Sequence, residues 1–180
     1  MSGFFDRVNA VLATGMIGVA LWLWPRLPNR IPTHFGLNGQ PDAWSEKSLV
    51  SWLLLPLVGI LLAGMIGGFR WVLPRKPGWV NLPDRTRLAD LPEAARGPVF
   101  RMLSGFLALV QTEMLIIFAL IQLGTYRGAI GKDSQGIMIL VLVLAILASP
   151  ALLVVFFLTL QPALDEGKRL AEEREKIGEG

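Results

Sequence analysis

Four apolar runs constrain the fold of this chain more than any other feature of its sequence. The runs cover about residues 8–24, 49–72, 102–123 and 136–160. A helix needs roughly 20 residues to cross a hydrocarbon core of about 30 Å, and each run approaches or exceeds that length. With 53% hydrophobic residues, the chain is also more apolar than an ordinary soluble domain. The sequence therefore predicts an all-α, polytopic membrane protein built as a four-transmembrane-helix bundle.

The distribution of charge predicts how this bundle is oriented. Residues 1–162 are expected to form one membrane domain, and residues 163–180 a charged cytoplasmic tail. The N-terminus, residues 70–101 and the tail carry 12 lysines and arginines, against 5 in the other two loops. The positive-inside rule therefore places both termini on the cytoplasmic side of the plasma membrane, with the lipid bilayer as the first partner. Because the net charge of +3 reflects this topology, no nucleic-acid partner is predicted.

The loop of residues 27–47, between the first two runs, is rich in proline and holds the only histidine. Because proline cannot donate to a central strand, we expect an ordered, extended and turning loop that faces outward. Asn38-Gly39 favours a tight turn, Asp42 an Asx-turn, and the His34 ring a bond to the loop backbone. A rigid outward loop suits a binding surface. Its candidate ligand-binding residues are Pro32, His34, Asn38, Gly39, Asp42 and Lys47.

Catalysis in this loop is the weaker interpretation. A catalytic metal usually has three protein ligands, whereas the chain offers one histidine and no cysteine. No metal and no cofactor are therefore predicted. A membrane enzyme that uses His34 and Asp42 as an acid–base pair on a lipid or peptide remains an alternative.

Glu113 is the one ionisable residue deep inside an apolar run, where a charge costs roughly 2.5–3.5 kcal/mol. Pro150 has no N–H, so the carbonyl of Ile146 loses its helical donor. We expect protonated Glu113 to donate a hydrogen bond to this carbonyl or to Ser149, while a small proton-coupled permease remains the alternative role. Gln111 lies about 200° round the helix from Glu113, on a separate polar face.

Gly64 and Gly68 form a GxxxG pair in the second run. Such pairs allow close approach of two membrane helices. The favoured interpretation is packing within the chain, and the alternative is the seam of a homodimer, which a four-span carrier would need.

The loop motif resembles a known family. The matching residues are Leu27-Pro28, Ile31-Pro32, His34-Phe35, Gly39, Pro41-Asp42 and Lys47. They are similar to the signature of the N-terminal domain of unknown function in SdpI-type membrane proteins, a group that includes an immunity protein against a killing toxin. A weaker similarity continues at residues 79–83, where Asn81 and Pro83 match a cytoplasmic motif. Ser45-Glu46-Lys47 departs from the Gly-Ser-Lys ending of the family.

The resemblance covers about residues 8–125 and implies a non-enzymatic membrane protein. Its outward loop would recognise a peptide, a toxin or an envelope component, in an immunity or signalling role. The cationic segment of residues 70–101 would contact a cytoplasmic protein partner. SdpI itself has further C-terminal helices, whereas this sequence has one more apolar run after residue 125.

Overall fold

A computed structural model describes residues 2–82 and 87–178 of the protein. Four helical rods are present, each long and apolar enough to cross a membrane. The helices are α1 (Ser2–Leu23), α2 (Leu49–Val72), α3 (Glu93–Ala129), α4 (Gln135–Val143) and α5 (Ser149–Ile177). A π-helical turn, Leu144–Ala148, joins α4 to α5 within the fourth rod. These elements confirm the predicted all-α polytopic bundle.

Helix α3 is the central element, because α1, α2 and α5 all pack along it. Met16, Ala63 and Leu115, from α1, α2 and α3, are buried together in one cluster. Large apolar side chains on the opposite faces, including Val11 and Leu61, are exposed. Such faces suit contact with lipid. Lipid tails offer no hydrogen-bond partner, and a helix satisfies its backbone groups internally.

Helix α3 begins nine residues before the apolar run that predicted it. Its first turns stay helical because they pack against α5, where Arg101 Nη2 donates to Glu166 Oε1 at 3.0 Å. Gly167 lies so close to this segment that an added Cβ would be 2.4 Å from the carbonyl oxygen of Ala95. Helix α5 therefore continues past residue 162 into the predicted charged tail, and it is packed against α3 at Gly167.

The two ends of the bundle differ in character. On the terminal side, defined by the start of α1 and the end of α5, short 3₁₀ turns at Leu73–Arg75, Pro77–Trp79 and Leu88–Asp90 connect α2 to α3. Leu82, Leu88 and Val99 form a small buried cluster there. The hairpin side, at the opposite end, holds residues 24–48 and the turn between α3 and α4.

The segment between α1 and α2 contains an antiparallel β-hairpin, which the sequence analysis had not predicted. Its strands are β1 (Arg30–Phe35) and β2 (Pro41–Glu46). The expectation that proline excludes strand pairing was wrong, because a two-stranded sheet has no central strand and each proline can turn its nitrogen away from the ladder. The register is irregular on both sides of His34, next to Pro32. Gly39, at φ 75°, supplies the left-handed residue of the connecting turn.

The GxxxG pair does not pack inside the bundle. An added Cβ at Gly64 or Gly68 would meet no atom within 4 Å in the described part of the chain. The expectation of packing within the chain was therefore wrong for these two residues. Gly59 makes the close approach instead, since its Cβ would lie 2.7 Å from Cγ of Phe118. The difference follows from the orientation of α2 about its own axis. Gly59 and Ala63 face α3, whereas Gly64 and Gly68 are exposed.

Gly59→Ala and Gly68→Ala are expected to change stability in opposite directions. Overpacking against Phe118 costs about 1–3 kcal/mol, more than the roughly 1 kcal/mol that alanine gains in a helix. Gly68→Ala gains helix propensity without a clash, so it should be neutral or stabilising. Denaturant unfolding of the detergent-purified variants measures the difference. Equal destabilisation by both would contradict the assigned orientation of α2.

Candidate functional site

The hairpin is fixed to the ends of three helices. Gly128, in the last turn of α3, leaves the space that the rings of Pro32 and Pro41 fill, since an added Cβ would lie 3.2 and 2.9 Å from their Cγ atoms. Ile31 is completely buried in a cluster with Ala20 and Trp52. These contacts fix one face of the hairpin by shape and leave the other face to solvent.

Hydrogen bonds fix the hairpin turn to the segment between α3 and α4. Ser134 Oγ donates to the carbonyl of Gly39 at 3.1 Å, and Ser134 is completely buried. Gln40 Nε2 donates to Asp133 Oδ1 at 2.9 Å. The pKa of Asp133 lies below its usual range because the backbone N–H of Gln135 and the side chain of Gln40 both donate to its carboxylate. The charged form of Asp133 therefore favours the docked turn.

His34 and Asp42 form a pair across the two strands. Nδ1 of His34 lies 2.5 Å from Oδ1 of Asp42. Because an ionised carboxylate only accepts, the ring nitrogen is the donor. We had expected the histidine to bond the backbone and Asp42 to close an Asx-turn, and the structure joins the two side chains instead. Their side chains are 68% and 52% exposed, so the pair lies in solvent rather than in a closed pocket.

The other four candidate residues of the loop differ in exposure, and each contributes to the shape of the hairpin. Pro32 and Gly39 are buried against α3 and α4. Asn38 is exposed, and its Oδ1 accepts from the N–H of Gln40 within the turn. Lys47 Nζ donates to the carbonyl of Leu27 at 2.9 Å and thereby closes the base of the hairpin. These four residues shape the loop, whereas His34 and Asp42 are presented by it.

Two exposed apolar side chains extend the presented surface, and the sequence analysis did not single them out. Leu37, at the tip of the hairpin, is 92% exposed, and Trp44, on β2, is 39% exposed. Apolar side chains in solvent are common on proteins, so neither alone marks a site. On a docked hairpin beside His34 and Asp42, however, they complete a mixed polar and apolar surface, which we call the hairpin face.

Glu113 is a residue of α3, and its side chain faces the fourth helical rod, which α4, the π-helical turn and α5 form. Ser149 Oγ donates to Glu113 Oε1 at 2.9 Å. The structure thus selects Ser149 from the two partners considered, but Glu113 is the acceptor rather than the expected donor. Pro150 supplies no N–H, and the helix responds with a π-helical turn in which the Ser149 N–H donates to the carbonyl of Leu144. Gln111 lies on a different face and donates to the carbonyl of Ala63 at 3.1 Å.

Arg70 is the residue that sequence reasoning missed. It ends an apolar run, so it was counted as an ordinary charge at the interface. Its side chain is only 8% exposed. Nη1 donates to Asp6 Oδ1 at 2.7 Å and to Gln111 Oε1 at 3.1 Å. The sequence signal that could have revealed its burial is the polar face of α3, because polar side chains on that face need a hydrogen-bond partner on a neighbouring helix.

The remaining predicted positions lie on the terminal side. Asn81 is exposed and forms an isolated β-bridge with Arg87. Pro83, the second residue of the cytoplasmic motif, lies outside the described residues. Within residues 2–82 and 87–178, no group of three or more His, Cys, Asp or Glu side chains could hold a metal ion.

Comparison with known proteins gives two matches. A family model described as a domain of unknown function, DUF1648, matches residues 11–60, from α1 through the hairpin into α2. An uncharacterized protein of Archaeoglobus fulgidus is 35% identical over 88 residues, which cover 43% of this chain and 47% of the relative. The chain therefore spans less than half the length of that relative. No solved structure matches the chain significantly.

Gly39→Ala and Gly131→Ala form a matched pair that isolates the contact between the hairpin turn and α4. Both glycines have φ near +70°, where a side chain costs about 1–2 kcal/mol. Only Gly39 has a neighbour in the way, because its Cβ would lie 2.9 Å from the backbone of Gln135. Gly39→Ala should therefore increase hydrogen exchange across residues 30–46, and Gly131→Ala should leave that exchange near the wild-type rate. Equal exchange in the two variants would contradict the docking.

Acid is expected to release the hairpin turn through Asp133. Because the pKa of Asp133 is lowered in the folded protein, its contribution is complete above the usual value of about 3.9 and is lost as pH falls through the folded value. The chain has no cysteine, so Leu37→Cys gives a unique site for a spin label. Label mobility should be constant above about pH 4 and rise below it. A background with Asp133→Asn should show no such step, and an identical rise in both backgrounds would exclude Asp133 as the cause.

Glu113→Gln should preserve the fold, whereas Glu113→Leu should lower the free energy of unfolding by about 1 kcal/mol. Glutamine can still accept from Ser149, and leucine leaves that hydroxyl without its partner. The comparison uses thermal unfolding of purified protein, with membrane abundance measured in parallel. Equal stability of the two variants would show that the hydrogen bond is dispensable.

Proposed function

We propose that this protein is a non-enzymatic integral membrane protein whose hairpin faces outward and recognises a peptide, a toxin or an envelope component. The role is immunity or signalling of the SdpI type. The observation that carries the proposal is the hairpin face, which is presented to solvent by a hairpin docked on three helices. The match of residues 11–60 to DUF1648, a domain found in SdpI-type proteins, supports it because the matched segment has the hairpin at its centre.

Peptide recognition is favoured by the free edge of β2. The sheet has two strands, so each strand has one edge with no ladder partner in the described part of the chain. Strand β1 packs against α3, whereas β2 is exposed along most of its length. An extended peptide can add to such an edge as a third strand, with backbone bonds for affinity and side-chain contacts for specificity. Trp44 would supply the apolar contact, and Asp42 with His34 a polar one.

The orientation follows from the same proposal. With the hairpin outside the cell, both termini and the cationic segment of residues 70–101 face the cytoplasm, as the charge distribution favours. A cytoplasmic protein partner would contact that segment, around Asn81. A second copy of the chain would approach along the exposed Gly68, where an added Cβ would meet no atom within 4 Å in the described part of the chain.

A small proton-coupled permease is the second candidate. It is supported by the bond between Glu113 and Ser149, which lies beside a π-helical turn, since π-helical turns are frequent at functional sites. The enzyme alternative has less support. Its proposed acid–base pair of His34 and Asp42 is exposed. Catalytic acids and bases usually lie in a cleft that shields them from solvent.

Cells that carry His34→Ala or Asp42→Ala are expected to lose resistance to secreted antimicrobial peptides at normal membrane abundance. A loss of about 1.4 kcal/mol in binding would raise sensitivity roughly tenfold. Lys132→Ala is the control, because it removes an exposed charged side chain from the same side of the bundle but outside the hairpin.

The outcome separates the two candidates. Loss of resistance in the two hairpin variants, with Glu113→Gln like the wild type, supports recognition by the hairpin. Loss in Glu113→Gln alone would overturn the proposal in favour of the permease.

A further inference from the structure

A cleft of about 480 Å³ opens on the terminal side, between α1 and α2, with α3 as its floor. At one end it is polar, lined by Asp6, Asn9, Arg70, Ser104 and Gln111. The other end is lined by small or apolar residues, among them Ala10, Ala13, Ile60 and Gly64. Sites for small ligands have volumes of about 300–1,000 Å³. The cleft is therefore large enough to hold part of an amphiphile.

Two charged groups in the cleft have unused hydrogen-bonding capacity. Arg70 donates through Nη1 and Nε, the latter to Ser104 Oγ at 3.4 Å, but Nη2 has no acceptor among the described residues. Asp6 accepts through Oδ1 only. Neither unused atom is sealed from solvent, since the described residues contain no fully buried side-chain nitrogen or oxygen without a partner, and the side chain of Asp6 is 52% exposed. A guanidinium that is nine-tenths buried needs further partners to offset its lost hydration.

The position of the cleft relates it to the membrane boundary. Arg70 lies in the last turn of α2, which is followed by the exposed Trp71 and by Arg75 stacked on its ring. Tryptophans of this kind lie at headgroup level. Ile60 is ten residues further into the helix, about 15 Å deeper at 1.5 Å per residue. The polar end of the cleft is therefore at the level of headgroups, and its apolar end is at the level of acyl chains.

The helices that form the walls of the cleft are also positioned by hydrogen bonds at the two ends of the bundle. At the hairpin side, Trp52 Nε1 donates to the carbonyl of Ala20 at 2.8 Å and joins α2 to α1. At the terminal side, the buried Asn9 joins α1 to α3, because it donates to the carbonyl of Ala108 and accepts from Thr112 Oγ1 at 2.7 Å. These bonds attach both walls to their neighbours without closing the space between them.

We propose that this cleft binds a phospholipid whose zwitterionic headgroup carries a primary amine, as in phosphatidylethanolamine. The phosphate accepts from Nη2 of Arg70, and the ammonium group donates to Oδ2 of Asp6. One acyl chain begins along the small residues Ala10, Ala13 and Gly64. Charge complementarity selects this headgroup, because one cation and one carboxylate match a zwitterion better than an anion.

The test compares three lipids on the full-length protein. The protein is purified from nanodiscs that contain equal amounts of phosphatidylethanolamine, phosphatidylglycerol and phosphatidylcholine, and retained lipid is counted by native mass spectrometry. Wild-type protein should retain phosphatidylethanolamine about tenfold over the other two, since phosphatidylcholine has no N–H for Asp6 and phosphatidylglycerol has no cation. Arg70→Gln should abolish retention, and Arg75→Gln, at the same level of the membrane but outside the cleft, should not.

Two further variants keep the proposal testable if Arg70→Gln misfolds. Asp6→Asn should move the preference from phosphatidylethanolamine toward phosphatidylglycerol, because it removes the partner of the ammonium group. Gly64→Leu should fill the apolar end and reduce retention, whereas Gly68→Leu, one turn away and outside the cleft lining, should not.

Three outcomes would overturn the proposal. The first is equal retention of all three lipids by wild-type protein. The second is equal loss in Arg70→Gln and Arg75→Gln. The third is displacement of phosphatidylethanolamine by millimolar inorganic phosphate, which would identify a site for free phosphate rather than for a lipid.

Discussion

A bilayer gives apolar helices little reason to associate, because lipid tails are as apolar as the side chains they would replace. The bundle therefore depends on close approach and on buried polar bonds. Close approach occurs where glycine permits it: Gly59 contacts the ring of Phe118, and Gly128 leaves space for two proline rings of the hairpin. Each of these contacts involves α3, so the fit of neighbours to this helix determines the positions of the other elements.

Polar bonds between elements, partly or fully buried, occur at three depths of the bundle and complement that fit. On the terminal side Arg70 and Gln111 join α2 to α3, and near the middle Ser149 joins α5 to Glu113. On the hairpin side, Ser134 holds the turn of the hairpin. In an apolar surrounding, a polar group without a partner is costly, so each bond selects one rotation and one depth for the helix that carries it. Close packing alone would allow one helix to slide along another.

The sequence predicts the spans well because their signal is local. Apolar length alone places α2 at residues 49–72, where the structure also has it. The hairpin, by contrast, depends on long-range contacts, since the rings of Pro32 and Pro41 pack in the space that Gly128 leaves. Arg70 was missed for the same reason: its burial depends on Asp6, 64 residues away. A run of residues shows which segments cross a membrane, but not which polar residues meet between them.

The hairpin separates the groups that hold it from the groups that it presents. Ile31, Gly39 and Ser134 are buried and account for its attachment. His34 and Asp42 are exposed, and an exposed ion pair contributes about 0–1 kcal/mol to stability. The pair is therefore not required for the fold, and the docked hairpin would keep its shape with other side chains at these positions. Because a fixed surface loses little entropy when a partner binds, a pair that is presented but does not hold the fold is the arrangement that the proposed recognition requires.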